Sequence, residues 1–405
     1  MIQPRTMLAA FCALALLPAA VWAQPAASLA GVVDAAVAHS PALKAMDQAI
    51  AAADARATAV GAPANPSLVG QLQLSPQAAN NMVTLGLRQP LDFRGLAGQR
   101  KEQAAEDVAI LKLSRKRLEK QVALQAKEAY YRLWSVREAL KVHDRDISWQ
   151  QAEVGRVNKQ IAAGELAPHE RLDADFELLK LQLARRGAEQ QVVGQEAHLA
   201  FLLGRPLGEP LALAELVAPQ PISLQPLDAW LAEARRERLE PQEIAIARRR
   251  EERGVRLADS LRFGNGEIEA QLGTAANTEP VVVGGFDLPL PVRYNQAGER
   301  AAATAEAARL EAERLVKDQE IAQEVLAAYY AALEAKTRLA EIDTRSLPFA
   351  EHMLEKATAR RKAGVGPIAE LAAARHALSD VASDRLQALL AYQLSYLRLE
   401  SAAGR

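Results

Sequence analysis

The sequence predicts a mainly α protein with a transmembrane β-barrel part: two long antiparallel coiled-coil helical hairpins and two β-hairpins per protomer, in an internal duplication. Three observations predict it. Landmarks recur about 200 residues apart, apolar positions keep helical spacing from residue 96 to 163 without a proline, and four short segments alternate apolar with polar residues.

The duplication organises the rest. Pro41 is answered by Pro241, Pro90-Leu91 by Pro289-Leu290, Gly98 and Arg100 by Gly298 and Arg300, Ala129-Tyr130-Tyr131 by Ala328-Tyr329-Tyr330, and Gly164 by Gly364. A period this long exceeds the roughly 20–50 residues of solenoid repeats, so each half is a whole substructure. The predicted boundaries are a first repeat over 24–204, a proline-rich linker over 205–226 and a second repeat over 227–405. Each repeat reads as a helix of about 30 residues, a β-hairpin (67–90 and 267–289), a long helix (96–163 and 296–363), a tip turn (164–167 and 364–367) and a returning helix.

In the first long helix Leu111, Leu118, Val122, Ala129, Leu133, Val136, Leu140, Ile147, Val154, Val157 and Ile161 form a coiled-coil seam. At ~1.5 Å per residue the rod is on the order of 100 Å long. Pro348 is expected to kink or break the second rod. At each tip glycine permits a left-handed residue and a following proline starts the next helix.

In the strands Leu68, Leu72, Leu74, Val83, Leu85 and Leu87 alternate with polar neighbours, and in the second repeat Ile268, Ala270 and Leu272 do the same before a loop expected over 273–280 and a strand over 281–288. Such strands suit a membrane barrel, apolar toward lipid and polar toward a watery lumen. The same pattern fits two soluble hairpins packed on the helices. Four strands cannot close a membrane barrel, whose lower limit is about eight, so the barrel reading requires an oligomer. The lumen face then carries Gln71, Gln73 and Arg88 from the first hairpin and Glu267, Glu269 and Asp287 from the second, an acidic surplus that favours cations.

Residues 1–23 read as a signal peptide, with Arg5 in the charged region, Met7 to Ala20 as the apolar stretch and Val21-Trp22-Ala23 before the cut. An apolar run of about 14 residues is short of the ~20 a spanning helix needs. Cleavage removes Cys12, the one cysteine, so no disulfide, thiolate metal site or cysteine nucleophile is expected in the mature chain. A formal charge of −1, with both signs interleaved, argues against nucleic acid as a partner.

Enzyme chemistry finds no support. His169-Glu170-Arg171-Leu172-Asp173 begins like a zinc-protease motif, but Asp173 replaces the second histidine. The six histidines make no close pair, and neither a phosphate-cradling loop nor a nucleophile elbow is present. No catalytic residue, metal site or cofactor is expected, and the tyrosine pairs read as packing between helices.

With these features the chain resembles the TolC-like outer-membrane efflux family. Its strand-to-helix junctions, Gln89-Pro90-Leu91-Asp92-Phe93-Arg94-Gly95 and Leu288-Pro289-Leu290-Pro291-Val292-Arg293-Tyr294-Asn295-Gln296-Ala297-Gly298-Glu299, are similar to those of the CzcC-like branch of heavy-metal efflux systems. The resemblance implies a homotrimer in outer-membrane lipid, a twelve-stranded barrel continued by a periplasmic helical tunnel with the linker at its equator, a periplasmic membrane-fusion adaptor and an inner-membrane RND pump. It implies adaptor docking at the tips, Gly164, Glu165 and Leu166 with Gly364, Val365 and Gly366. It also implies an acidic periplasmic gate at Glu170 and Glu370, with Asp173 and Asp175 close by. Cargo is expected to be heavy-metal cations. A drug or protein duct of the same fold, or a soluble periplasmic scaffold or adaptor, are the alternatives.

Overall fold

The computed structural model describes residues 28–74, 81–206, 216–219, 223–275, 279–363, 365 and 368–405. The signal segment 1–23, Gly364 and Gly366 lie outside them, as does part of the linker.

The first repeat opens with α1 (Leu29–His39) and α2 (Pro41–Val60), where the sequence suggested one helix. Pro41 is the reason. It drives the residue before it out of the helical region, and Ser40, at ψ 117°, caps α2 by accepting from the Leu43 amide. After β1 (Ser67–Gln73) and β2 (Met82–Leu91) the chain enters α3 (Leu96–Ala162), 67 residues long, and returns through α4 (Glu170–Leu202). The second repeat follows the same order: α5 (Leu227–Glu237), α6 (Glu240–Leu261), β3 (Gly266–Ala275), β4 (Pro280–Asp287), α7 (Ala297–Glu341), α8 (Leu347–Lys362) and α9 (Ile368–Ala402). Again the opening helix is split, here by extended backbone at Arg238 ahead of Pro241. The loop expected over 273–280 is shorter than thought, since Gly273, Thr274 and Ala275 extend β3 and Pro280 opens β4.

Pro348 does not break the second rod. A π-helical turn, Ile342–Ser346, joins α7 to α8, with the Leu347 amide donating five residues back to Ile342. The turn lies where the proline ring would otherwise meet the carbonyl of Thr344. It also has an arithmetic cause. Between the tyrosine pair and the tip glycine the second rod holds one residue more than the first, and a π turn absorbs one extra residue while restoring the helical face beyond it.

The long helices start alike. Each is preceded by a left-handed residue, Gly95 (φ 64°) or Gln296 (φ 62°). The Asp92 carboxylate accepts from the Leu96 and Ala97 amides at 2.6 and 2.8 Å, and Asn295 accepts from Ala297 at 3.2 Å. Two apolar cores hold the middle of the molecule. One joins Val32 and Ala36 of α1, Ala126, Tyr130, Leu133 and Trp134 of α3, Leu199 of α4 and Leu397 of α9. The other joins Trp230 and Ala234 of α5, Ile321, Val325 and Ala332 of α7 and Leu399 of α9. Tyr130 and Tyr131 are buried, and the Tyr130 hydroxyl accepts from the Val217 amide of the linker at 2.9 Å. Tyr330 departs from the packing expectation: it is exposed in the single protomer.

The duplication extends to the helix ends in a way the landmarks above do not show. Gly204 (φ 67°) and Gly404 (φ 85°), 200 residues apart, each close their repeat's last helix, with the Arg205 and Arg405 amides donating five residues back. Gly204 packs on His39 at the end of α1, and Gly404 packs on Glu237 and Arg238 at the end of α5. A Cβ on Gly404 would lie 2.9 Å from the Glu237 carbonyl carbon, whereas one on Gly164 at the tip meets nothing within 4 Å. Gly404→Ala is therefore expected to cost the ~1–2 kcal/mol of a left-handed residue plus ~1–3 kcal/mol for the clash, and Gly164→Ala only the first part. Thermal unfolding of the two variants checks this; equal losses would contradict it.

Candidate functional site

The four strands form one antiparallel sheet in the order β1-β2-β3-β4, although four helices and the linker separate β2 from β3 in sequence. Register brings Leu68 opposite Leu87, Leu72 opposite Val83, Leu85 opposite Leu272 and Ile268 opposite Phe286. Leu68, Leu72, Val83, Leu85, Leu87, Ile268, Leu272, Val282 and Phe286 thus share one face, and they are exposed, from 48% at Ile268 to 86% at Phe286, while Val69, Met82, Val281 and Val283 fall on the other. The other face holds Gln71, Gln73, Thr84, Arg88, Glu267, Glu269, Gln271 and Asp287. At its centre Thr84 and Gln271 are buried against one another and hydrogen-bonded, so this polar face is the crowded one. Arg88 donates to Glu269 at 2.8 Å and lies 3.7 Å from Glu267, which leaves three carboxylates to one guanidinium. β1 and β4 each have one strand neighbour, and their outer backbone edges are unpaired within the sheet.

At the far end of the rods, α3 ends in a left-handed Gly164 (φ 74°), with the Glu165 amide donating to Gln160. The second tip has the corresponding bond, from the Val365 amide to Arg360. Gly164, Glu165 and Val365 are exposed and Leu166 is half-buried. The two tips are side by side, since Gln160 accepts from Arg361 at 3.2 Å.

The gate candidates are not alike. Glu370, in the first turn of α9, pairs across its own tip with Arg360 at 3.3 Å, and Asp175 pairs with Arg171 at 3.3 Å. Glu170, in the first turn of α4, has His169 at 3.9 Å as its one ion-pair partner among the described residues, and Asp173 is exposed. The fold does not gather these four carboxylates within one protomer: among the described residues no cluster of three or more His, Cys, Asp or Glu is placed to hold a metal ion.

Sequence reasoning missed a polar lock between the two helical hairpins. Between α3, α4 and α9, Glu153 pairs with Arg156 and with Arg375, Ser379 bonds to Asp146, Glu177 pairs with His376 at 3.4 Å, and Gln150 donates to the Ala174 carbonyl. Burial lowers the Arg375 pKa, and the neighbouring Arg156 adds to the shift while Glu153 opposes it. No pattern in one segment could show this lock, because Arg375, His376 and Ser379 of α9 reach their partners on α3 and α4 from about 200 residues away or more.

Residues 32–205 match the family model described as outer membrane efflux protein. The match spans most of the first repeat. The whole chain has the fold of the TolC-like channels. It is similar to the outer-membrane channel OprN at 16% identity and TM-score 0.72, over 93% of this chain and 89% of that one. CusC matches at 15% and 0.72, over 93% and 92%. The MtrE outer membrane channel of Neisseria gonorrhoeae, solved in an open state, matches at 16% and 0.73, over 93% and 88%. No curated protein matches the chain in sequence. Among the described residues no helix is long and apolar enough to cross a membrane.

Proposed function

We propose that the chain is the outer-membrane duct of a tripartite RND-type efflux system, a homotrimer whose twelve strands close a barrel and whose helices continue it into the periplasm. The observation that carries this reading is the sheet. An exposed apolar face, a polar opposite face and two unpaired edges are a stable arrangement in lipid only when further copies close the edges. The tips, being exposed turns at the far end of the rods, are the surface offered to a periplasmic membrane-fusion adaptor, beyond which an inner-membrane RND pump supplies the driving force. Heavy-metal cations are the proposed cargo. The CzcC-like junctions support this, as do Glu267, Glu269 and Asp287 against the single Arg88, which repeat three times around a trimer and favour cations in the lumen.

Planar bilayers test the reading. The protein is expected to give cation-selective steps, with selectivity falling when Glu267, Glu269 and Asp287 are replaced by Gln, Gln and Asn. At the proposed gate, Glu170→Ala combined with Glu370→Ala is expected to raise the single-channel conductance severalfold and to weaken block by divalent cations. Unchanged conductance and block would remove both residues from the gate, and absence of steps from the unaltered protein would overturn the duct.

A further inference from the structure

At the end of the sheet that meets the helices, three junctions come together: the exit of β2, the entry to β3 and the exit of β4. Phe93 of the first lies against Gly266 of the second, and Pro289 of the third lies against Gly264. The apolar face does not stop where the strands stop. Along the chain from β4 the alternation Val282, Phe286 continues as Leu288, Leu290 and Val292, and from β2 it continues from Leu85 and Leu87 to Phe93; all of these are exposed. Each run then ends on an arginine, Arg293 or Arg94, and Arg262 precedes β3 beside the Phe263 ring that Arg94 also meets.

These arginines differ from four of the five on the helix below. In α6 Arg248, Arg249, Arg250 and Arg253 are each paired with a carboxylate. Arg94, Arg262 and Arg293 have no carboxylate within salt-bridge distance among the described residues, and all three are exposed. Their neighbours are aromatic. Arg94 stacks 4.5 Å from the Phe263 ring centre, with Arg262 at 5.8 Å from the same ring, and Tyr294 follows Arg293. An apolar band that passes into aromatic rings and then into unpaired guanidinium groups follows the polarity of a leaflet from acyl chain to phosphate. A guanidinium binds phosphate through a fork of donors, and a ring beneath it holds the fork in place.

We propose that Arg94, Arg262 and Arg293, with Phe93, Phe263 and Tyr294, form a binding rim for the phosphate headgroups of an anionic glycerophospholipid leaflet on the helix side of the membrane. The inference rests on the duct reading, because only a sheet inserted in lipid brings this rim to headgroup depth. It adds a lipid ligand to the anchoring that the apolar face provides.

Purified protein is compared with the triple variant R94Q/R262Q/R293Q and with its charge-preserving counterpart carrying Lys at the three positions. Phospholipid phosphorus retained after mild-detergent purification, and the thermal midpoint with added phosphatidylglycerol or phosphatidylcholine, are measured for each. The unaltered protein is expected to retain phospholipid and to be stabilised by phosphatidylglycerol more than by phosphatidylcholine. The Gln variant is expected to lose the difference and to retain severalfold less lipid, and the Lys variant to keep most of both. Equal retention and an equal phosphatidylglycerol effect in the Gln variant would overturn the rim, as would full reproduction of the effect by inorganic phosphate. Should the Gln variant not assemble, loss of the phosphatidylglycerol effect in Arg293→Gln alone decides, and an unchanged effect there counts against the rim. Carbonate washing of membranes separates the two proposals: a carbonate-resistant protein without lipid preference refutes the rim alone, and a protein that washes off refutes the duct.

Discussion

Leu85→Arg is expected to keep the chain out of the membrane, while Gln71→Arg leaves insertion and trimer yield near normal. Leu85 lies in the middle of the sheet, opposite Gly70 on one side and Leu272 on the other, and its side chain is exposed on the apolar face. An arginine near the bilayer midplane costs about 2–4 kcal/mol on the lipid face of a barrel, and threefold symmetry repeats the cost in every protomer. Leu72 shares the face but pairs with Val83, close to the hairpin loop, so Leu72→Arg falls nearer the interface and is expected to cost less. Gln71 opposes Thr84 on the polar face, where an added guanidinium would remain in water. The measurement is carbonate-resistant, trimeric protein in the membrane fraction. Loss with Gln71→Arg and tolerance of Leu85→Arg would invert the assignment of faces.

Bulky substitution of both tip glycines is expected to abolish efflux without reducing the amount of trimer. Gly164 is left-handed, so any L-residue there strains the turn by ~1–2 kcal/mol, yet a Cβ would meet no atom within 4 Å. The turn is therefore altered in shape while nothing in the interior is displaced. Gly364 lies outside the described residues, but the Val365 amide bond to Arg360 repeats the cap of the first tip. With Gly164→Leu and Gly364→Leu together, a strain dependent on this duct is expected to become as sensitive to heavy-metal salts as one lacking it. Trimer quantity is followed in the same cells. Normal resistance in the double variant would sink the docking role of the tips.

Both expectations show which parts of the protein can be read from sequence. The rods, the four strands and their faces depend on periodicity, and periodicity is local: a strand alternates and a helix steps by three and four whatever lies beside it. The helix caps were partly legible for the same reason. Glycine at a tip announces a left-handed residue, but Gly204 and Gly404 carry the same signal and stand out only once α1 and α5 are seen packed against them. The π turn was hidden in an arithmetic difference of one residue between the repeats, while Pro348, the visible breaker, left the rod continuous through that turn.

By itself, then, the sequence determined a duplicated chain of long rods and short amphipathic strands, because each of those elements is set by contacts with near neighbours and by the dihedral preferences of single residues. The tertiary structure alone decided which strands adjoin, that β2 pairs with β3 across the repeats, that Glu370 is held by Arg360 while Glu170 is not, and that Glu153 and Arg375 lock two hairpins together. Those outcomes turn on residues brought together from distant parts of the chain. A pairing of that kind leaves no periodic trace in either partner, since charge and hydrogen bonding act through space at a few ångströms and take no account of sequence distance.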